Sequence, residues 1–522
     1  MKKIAGFILM IIFAMSLMAC GSTDDQNISI EFKDFDYDLT WVSFSIELSD
    51  PDERITGNIN IELFENDTRR QTRVAQVLED LENITFSGLT TGTTYEIRVI
   101  AGVGREAVTI GERTFTTLSD QPISIETPED FMNMRNNRSG QYILENDLDF
   151  EGVEFKAPFG QQHFSGTFDG QGFTISNIEF TSMQTYTGVF GYITTGKVFD
   201  VHLENIIIGT EEDPIKMTTS TRAGIISGYQ SNTNSEITNI TVKNSQIYMI
   251  TSSTVHAYVG GAIGEARGKV EDITLENVTV SVVSEAQGRI KLGAVVGYLY
   301  DSATLKRVSS QTDVIFELDF KRANTRDMDF SILIGGIIGE NAPKTNLRAV
   351  ENVYNIGDIN VDLAFNTPET STKGNYTVYV GGVAGMSYAN IYQSFYKGNI
   401  SLNHEKNEFE EGVVNKFIFV GGLMGSYASR QTLNQALKIN NDGKEMNVNV
   451  SDDVTLLVSQ TIARFVHTPT VHTGLIGSEH LMVNGVDQSA SEDVTIILDP
   501  LEFFLSDWMK EKYEVLFIND ID

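Results

Sequence analysis

The chain has 522 residues, which at roughly 100–200 residues per domain predicts two or three domains. Hydrophobic residues make up 41% and charged ones 21%, so a packed core can form and wholesale disorder is excluded. Lys+Arg is 38 against Asp+Glu 71, a net charge of −33, which excludes nucleic-acid binding by counterion displacement and a polybasic membrane-surface protein. A single cysteine excludes an intramolecular disulfide and a Cys-rich zinc site. With 44 Gly and only 9 Pro, glycine is expected at repeated structural positions rather than in proline-rich linkers.

In chain order, Met1 to Met18 reads as a secretory signal. Lys2 and Lys3 form its charged start, and Ile4 to Met15 is an apolar run too short to cross a bilayer comfortably. It ends at Leu17-Met18-Ala19-Cys20-Gly21, which resembles the lipobox of bacterial lipoproteins. The resemblance implies cleavage after Ala19, leaving 1–19 as signal peptide, and lipid attachment at Cys20 as the one site residue. Two acyl chains at roughly 0.8 kcal/mol per buried CH₂ make a stable membrane anchor. Cleavage removes two lysines and no acid, taking −33 to −35. Residues 20–27 are then the lipidated cysteine and a short polar tether. All that follows is expected to be extracytoplasmic, at the bacterial membrane or envelope surface.

Residues 28–118 alternate apolar and polar residues in short runs, the period of half-buried strands. Trp41, Phe44, Ile46 and Leu48 lie in one run, Ile59, Ile61 and Leu63 in the next, and Tyr95, Ile97, Val99 and Ala101 in a later one. Leu89-Thr90-Thr91-Gly92-Thr93-Thr94-Tyr95 is similar to the tyrosine corner of fibronectin type III domains, with Thr91 in place of the usual proline. That resemblance implies a small sandwich in which the Tyr95 hydroxyl bonds upstream backbone. Its expected role is a spacer. Asp34, Asp36 and Asp38 alternate, as on one strand face, and read as a solvated edge that deters aggregation.

Over residues 123–500 an internal repeat is decisive. The units are Gly188-Val-Phe-Gly191, Gly224-Ile-Ile-Ser-Gly228, Gly261-Ala-Ile-Gly264, Gly293-Ala-Val-Val-Gly297, Gly336-Ile-Ile-Gly339, Gly382-Val-Ala-Gly385, Gly422-Leu-Met-Gly425 and Gly474-Leu-Ile-Gly477. The closing glycines are 37, 36, 33, 42, 46, 40 and 52 residues apart, with apolar, strand-like runs following each unit and no helical pattern between. This predicts a β-solenoid with one three-stranded coil per repeat. Glycine is expected at corners needing positive φ or close approach to the next coil, and the apolar pair is expected inside. Coils about 4.8 Å apart would make the eight a rod on the order of 40 Å long. Asn205, Asn244 and Asn277 fall at equivalent positions and predict a partial asparagine ladder. The glycines lack the Gly-Lys-Ser/Thr of a phosphate loop and the βαβ context of a dinucleotide site.

The segments Tyr142 to Asp149, Phe164 to Ile178 and Gly188 to Tyr192 resemble the opening of GLUG-motif proteins, bacterial surface proteins with right-handed parallel β-helices. The resemblance implies a fold and a surface location over about residues 123–480 and maps no catalytic residue. A solenoid needs capped ends. Thr127-Pro128-Glu129-Asp130 reads as a helix start whose Phe131, Met132 and Met134 cover the first coil, and 501–522, with Phe503, Phe504 and Trp508, as the second cap.

Chemistry is sparse. His467, His472 and His480 lack zinc-ligand spacing, and His163, His202, His256 and His404 read as surface or loop residues. Acids are too many for any pair to identify a glycosidase, and Asp147, Asp149 and Asp169 sit in turn contexts. No cofactor, metal or catalytic residue is implied. The expectation is an all-β surface protein, a sandwich followed by a capped β-helix, that binds or adheres to glycan or protein ligands. Its expected contact surface is the variable arms at Asp319 to Asp329, Asn366 to Tyr376 and His404 to Glu411. A β-helix polysaccharide hydrolase or lyase is the alternative, and a structural surface protein the third reading.

Overall fold

Alternating short apolar runs fold here into strands almost throughout. The computed structural model describes residues 28–487 except 77, 118–120, 252–254, 286–287, 321–327, 343–348, 366–373, 390, 406–413, 429–435, 439–445, 451–454, 460–461, 466–480 and 485. Cys20, the 501–522 cap, the eighth glycine unit, His467, His472, His480 and stretches 321–327, 366–373 and 406–411 of the variable arms lie outside the described residues. The chain divides into two compact units, Met1–Gln121 and Pro122–Asp522.

Among its described residues the first unit has seven antiparallel strands: β1 (Ser29–Tyr37), β2 (Trp41–Ser49), β3 (Ile55–Glu65), β4 (Thr68–Ala75), β5 (Ile84–Ser87), β6 (Thr94–Val103) and β7 (Glu106–Thr116). They form two sheets, ordered β1-β2-β5 and β4-β3-β6-β7. Period-2 patterning places Val42, Phe44, Ile61, Leu63, Phe86, Ile97 and Val99 in a shared core. The Tyr95 hydroxyl accepts the Thr90 N–H at 2.9 Å, the upstream bond anticipated from its sequence. The aspartate reading needs correction. Asp34 has φ 48° and sits at a bulge between Lys33 and Asp36, and Asp38 lies beyond the strand, so the three do not share one regular face. The bulge turns both Phe32 and Phe35 toward the core, where each packs on Phe44.

The second unit is a parallel β-helix. Among the described residues its successive rungs place strands in three sheets: one of eight strands, one of nine, and one long sheet. One rung is Val255–Gly260, Ile263–Ala266 and Lys269–Ser284; the next is Gly288–Gly293, Val296–Leu299 and Thr304–Phe320. They stack in register, with Val259 beside Leu292, Ile263 beside Val296 and Ile273 beside Val308.

The glycine units form the corner between the eight- and nine-stranded sheets. Their apolar pairs, such as Ala262 and Ile263 or Ile337 and Ile338, are fully buried. Backbone hydrogen bonds continue through the corner, from Ala262 N–H to Val295 O (3.0 Å), Val295 N–H to Ile337 O (3.0 Å) and Val383 N–H to Leu423 O (2.8 Å). Of the two reasons for glycine here, close approach dominates. A Cβ on Gly297 would lie 2.6 Å from Val259 N and 2.8 Å from Gly264 O, and one on Gly339 2.6 Å from Gly297 O.

In the long sheet strict alternation fails at fixed places. Inward residues run Val198, Val201, Leu203, Ile206, Ile208, and in a later rung Val270, Ile273, Leu275, Val278, Val280. Each three-residue step contains one left-handed residue that absorbs the extra position: Asp200 and Asn205, Asp272 and Asn277. Stacked, they make two columns. Asn277 Nδ2 donates to Asn244 Oδ1 (2.9 Å) and Asn205 Nδ2 to Asn177 Oδ1 (2.7 Å), whereas Asn244 donates to Glu204 (3.2 Å). The ladder is therefore partial and starts one rung earlier than its sequence suggested. The other column, Asp200, Asn239, Asp272, Arg307, Asn352 and Gln393, has positive φ at every member.

The helix Pro128–Asn133 caps the first rung. Thr127 and Asp130 form a reciprocal capping box, and buried Phe131 packs edge-on to Phe150, Phe168 and Phe190. His404 corrects another expectation. It is 5% exposed because it takes the inward column position of Leu363 in the preceding rung.

Candidate functional site

Beside each corner two positions face away from the core. One lies two residues before the first corner glycine, as Tyr258 does between core residues Ala257 and Val259. The other directly follows the closing glycine, as Tyr229 follows Gly228. Register aligns the first set as Tyr186, Arg222, Tyr258 and Lys291, and the second as Tyr192, Tyr229, Glu265, Tyr298 and Glu340. The two columns run side by side over successive rungs.

Their side chains build one layer. Tyr192 and Tyr229 stack at 5.3 Å with 11° between planes, and Tyr186 lies 4.6 Å from Tyr192. The Arg222 guanidinium sits 4.5 Å from the Tyr229 ring centre, and Arg267 sits 4.0 Å from that of Tyr300. Glu265, 1% exposed, takes an ion pair from each arginine, Arg222 through Nε and Arg267 through Nη2 at 2.7 Å. Its burial is tolerated because both carboxylate oxygens are engaged by cations. Lys291 lies 3.1 Å from the Tyr298 ring centre and pairs with Glu340 at 2.8 Å.

The electrostatics follow from this packing. Burial raises the Tyr229 and Tyr258 hydroxyls above the ordinary phenol range, and the Glu265 charge adds to it. Burial, then Glu340, does the same to Tyr298. Burial holds Lys291 below the usual lysine range, outweighing the opposite pull of Glu340. His256 is lowered by burial and then by Arg289 and Lys291. Arg222 and Arg267 against Glu265 leave one net positive charge, and Lys291 against Glu340 leaves none.

A face of this make-up offers aromatic edges, phenol hydroxyls and guanidinium donors together, the ring faces being taken up by one another and by the cations. It suits ligands with an apolar face and polar rim. The sequence reading did not single it out. The signal was present in the repeated Gly-Tyr pairs at 191–192, 228–229 and 297–298. Only rung register, however, brings Arg222 beside Tyr258 and Glu265 beside Tyr298.

Other polar places were weaker. A hollow of about 210 Å³ lies beside Asn277, Gln311, Asp313 and Asp358. Its carboxylates are engaged locally: Asp313 accepts the Asp358 N–H at 2.8 Å, and Asp358 accepts Asn399 N–H at 2.7 Å. Among the described residues no group of three or more His, Cys, Asp or Glu side chains could hold a metal ion.

Fold and face together define a parallel β-helix with an aromatic, cation-bearing outer corner. No family model matches the chain, and comparison with curated proteins found no match. Among solved structures, a redesigned β-sandwich protein is similar at 22% identity over 19% of this chain and 95% of its own, with a TM-score of 0.15. A family 28 exopolygalacturonase of Yersinia enterocolitica is similar at 8% identity over 87% of this chain and 99% of its own, with a TM-score of 0.16. At such scores neither likeness bears on activity, and the fold assignment rests on the parallel sheets themselves.

Proposed function

We propose that this chain is a bacterial surface lipoprotein, anchored through Cys20, whose β-helix binds glycan or protein ligands without turning them over. In this reading the first unit is a fibronectin type III-like spacer, supported by its three-plus-four strand order and the Tyr95–Thr90 bond. The second is a GLUG-type helix, supported by the glycine-bracketed pairs at its corners. The lipobox-like Leu17 to Gly21 supports the anchor and an extracytoplasmic address.

The observation that carries the binding role is the outer corner layer of Tyr186, Tyr192, Tyr229, Arg222 and Arg267. It moves the expected contact surface from the variable arms to the corner. A glycan and host-protein binding array on the full chain, run beside a turnover assay on the same glycans, tests it. Binding without turnover is expected; release of reducing ends or unsaturated sugars overturns it.

One observation favours the alternative, a β-helix polysaccharide lyase. Lys291 is a buried lysine held below its ordinary range among Tyr258, Tyr298 and Glu340, which is how a general base is poised. Against it, the Lys291 ammonium is already ion-paired and packed on a ring face.

A further inference from the structure

We propose that the outer face of the long sheet around Tyr248, Ile250, Val283 and Ile315 docks a basic protein segment, a few extended apolar residues with lysine or arginine at both ends. This goes beyond the corner layer and does not rest on it.

Register builds the face. Tyr248, Ser281 and Ile315 align in one outward column of three successive rungs, and Ile250 and Val283 align in the column beside it. Their strand neighbours Met249, Val282, Val314 and Phe316 are buried in the core, so the alternation of a strand turns these residues outward. Tyr248, Ile250, Val283 and Ile315 each keep part of their surface in water.

The fold does not call for apolar side chains here. Further along the stack the first column continues as Asn360 and Ser401, and the second as Glu317, Asp362 and Asn403. The same strand positions therefore accept polar and charged residues, and the apolar run is confined to the rungs of Tyr248, Ser281 and Ile315. An outward apolar patch with a polar surround is the make-up of a protein contact.

Charge selects the partner. Glu211, Glu212 and Asp213 are exposed in the turn one rung before Tyr248, where Asp213 N–H donates to Thr210 Oγ1 (3.0 Å) and Thr210 N–H to Asp213 O (3.1 Å). At the far end Asp313 and Glu317 are exposed on either side of Ile315. Both ends act on Tyr248, whose hydroxyl is raised by burial and then by Glu211, Glu212 and Asp313. Among the described residues Glu211, Glu212, Asp213 and Asp313 form no ion pair. Carboxylates at both ends of an apolar centre match cations at both ends of an apolar run, and they repel nucleic acid and acidic glycans. From the turn to Ile315 is three inter-strand spacings, about 14 Å, which about four extended residues cover.

The test is fluorescence anisotropy of the full chain with the labelled peptide Lys-Lys-Val-Thr-Val-Lys-Lys. Two further peptides carry serine for each valine, or glutamate for each lysine. The first peptide is expected to bind saturably and about tenfold or more tighter than either other. Ile250→Ser should weaken it about tenfold. Lys216→Glu, exposed in the Ile250 column, removes a like charge and should tighten it about threefold. Arg289→Gln, beside the corner layer, should leave it unchanged. A gain from Lys216→Glu cannot come from misfolding, so the test stays valid if Ile250→Ser fails to fold. Absence of saturable binding, equal affinity for the serine peptide, indifference to a folded Ile250→Ser, or a loss with Lys216→Glu overturns the proposal. Such a failure leaves the corner reading standing, because that reading is tested on other residues.

Discussion

In the rungs closed by Gly228, Gly264 and Gly297 the outer corner carries Arg222, Tyr258 and Lys291 in one column and Tyr229, Glu265 and Tyr298 in the other. In the rungs closed by Gly339, Gly385 and Gly425 the same positions hold Leu333, Tyr379 and Phe419, then Glu340, Met386 and Ser426. There Tyr379 and Phe419 stack at 4.9 Å within an apolar cluster that includes Leu333. The corner backbone is the same in both regions: glycines against backbone, a buried apolar pair, continuous hydrogen bonds. The later rungs show that the fold needs no cation at these places. The charge of the earlier rungs is therefore surplus to folding, which is why it is read as function.

That comparison can be broken most sharply at its shared part. Gly297→Val and Gly339→Val should each cost about 3 kcal/mol or more, because both Cβ atoms would strike backbone rather than movable side chains. Urea unfolding of the two variants measures this, and tolerance at one site alone would mean the two corners are not equivalent. Next in size is the part that differs. Glu265→Ala leaves Arg222 and Arg267 crowded without their carboxylate and should cost about 2 kcal/mol, less than a fully buried pair since both arginines are partly exposed. Met386→Ala, in the same column but half-buried and uncharged, should cost about 1 kcal/mol by the same denaturation.

A smaller effect lies in the long sheet. Asn277→Ala loses the amide bond to Asn244 and forces alanine into φ 53°, for about 1–2 kcal/mol, while Asn277→Gly should restore most of it. Equal losses in both variants would locate the cost in the side chain instead. The smallest is a pH effect. Lys291 is held below the ordinary lysine value of 10.5 by burial, so the unfolded chain binds its proton more strongly. Stability should rise with pH from the folded value toward 10.5, and Lys291→Met should lose that rise. The native urea midpoint is expected to rise relative to the variant's from pH 8 to 10; a difference that stays constant or moves the other way would contradict this.

Much of this fold was legible because its constraints act on short stretches of chain. Gly-apolar-apolar-Gly announces the corner, since close backbone approach excludes any Cβ, and the 3–2 spacing of Val198, Val201 and Leu203 already contains the left-handed step. The second left-handed column was missed because Arg307 and Gln393 interrupt its Asn/Asp identity. His404 was misread because a buried column position depends on its neighbour Leu363, 41 residues away in sequence. The corner face was illegible for the same reason. Glu265 looks like any of the 71 acids until register places it between two arginines.

The central claim is that successive rungs align these corner positions into columns. Tyr192 and Met386 stand five rungs apart in one column, through Tyr229, Glu265, Tyr298 and Glu340. Spin labels at these two positions, in the full chain carrying Cys20→Ser, measure that span by pulsed electron resonance. The stacked helix predicts a single narrow distance on the order of 24 Å, set by the inter-strand spacing. A broad distribution, or a mean beyond about 40 Å, would exceed any five-rung column and contradict it.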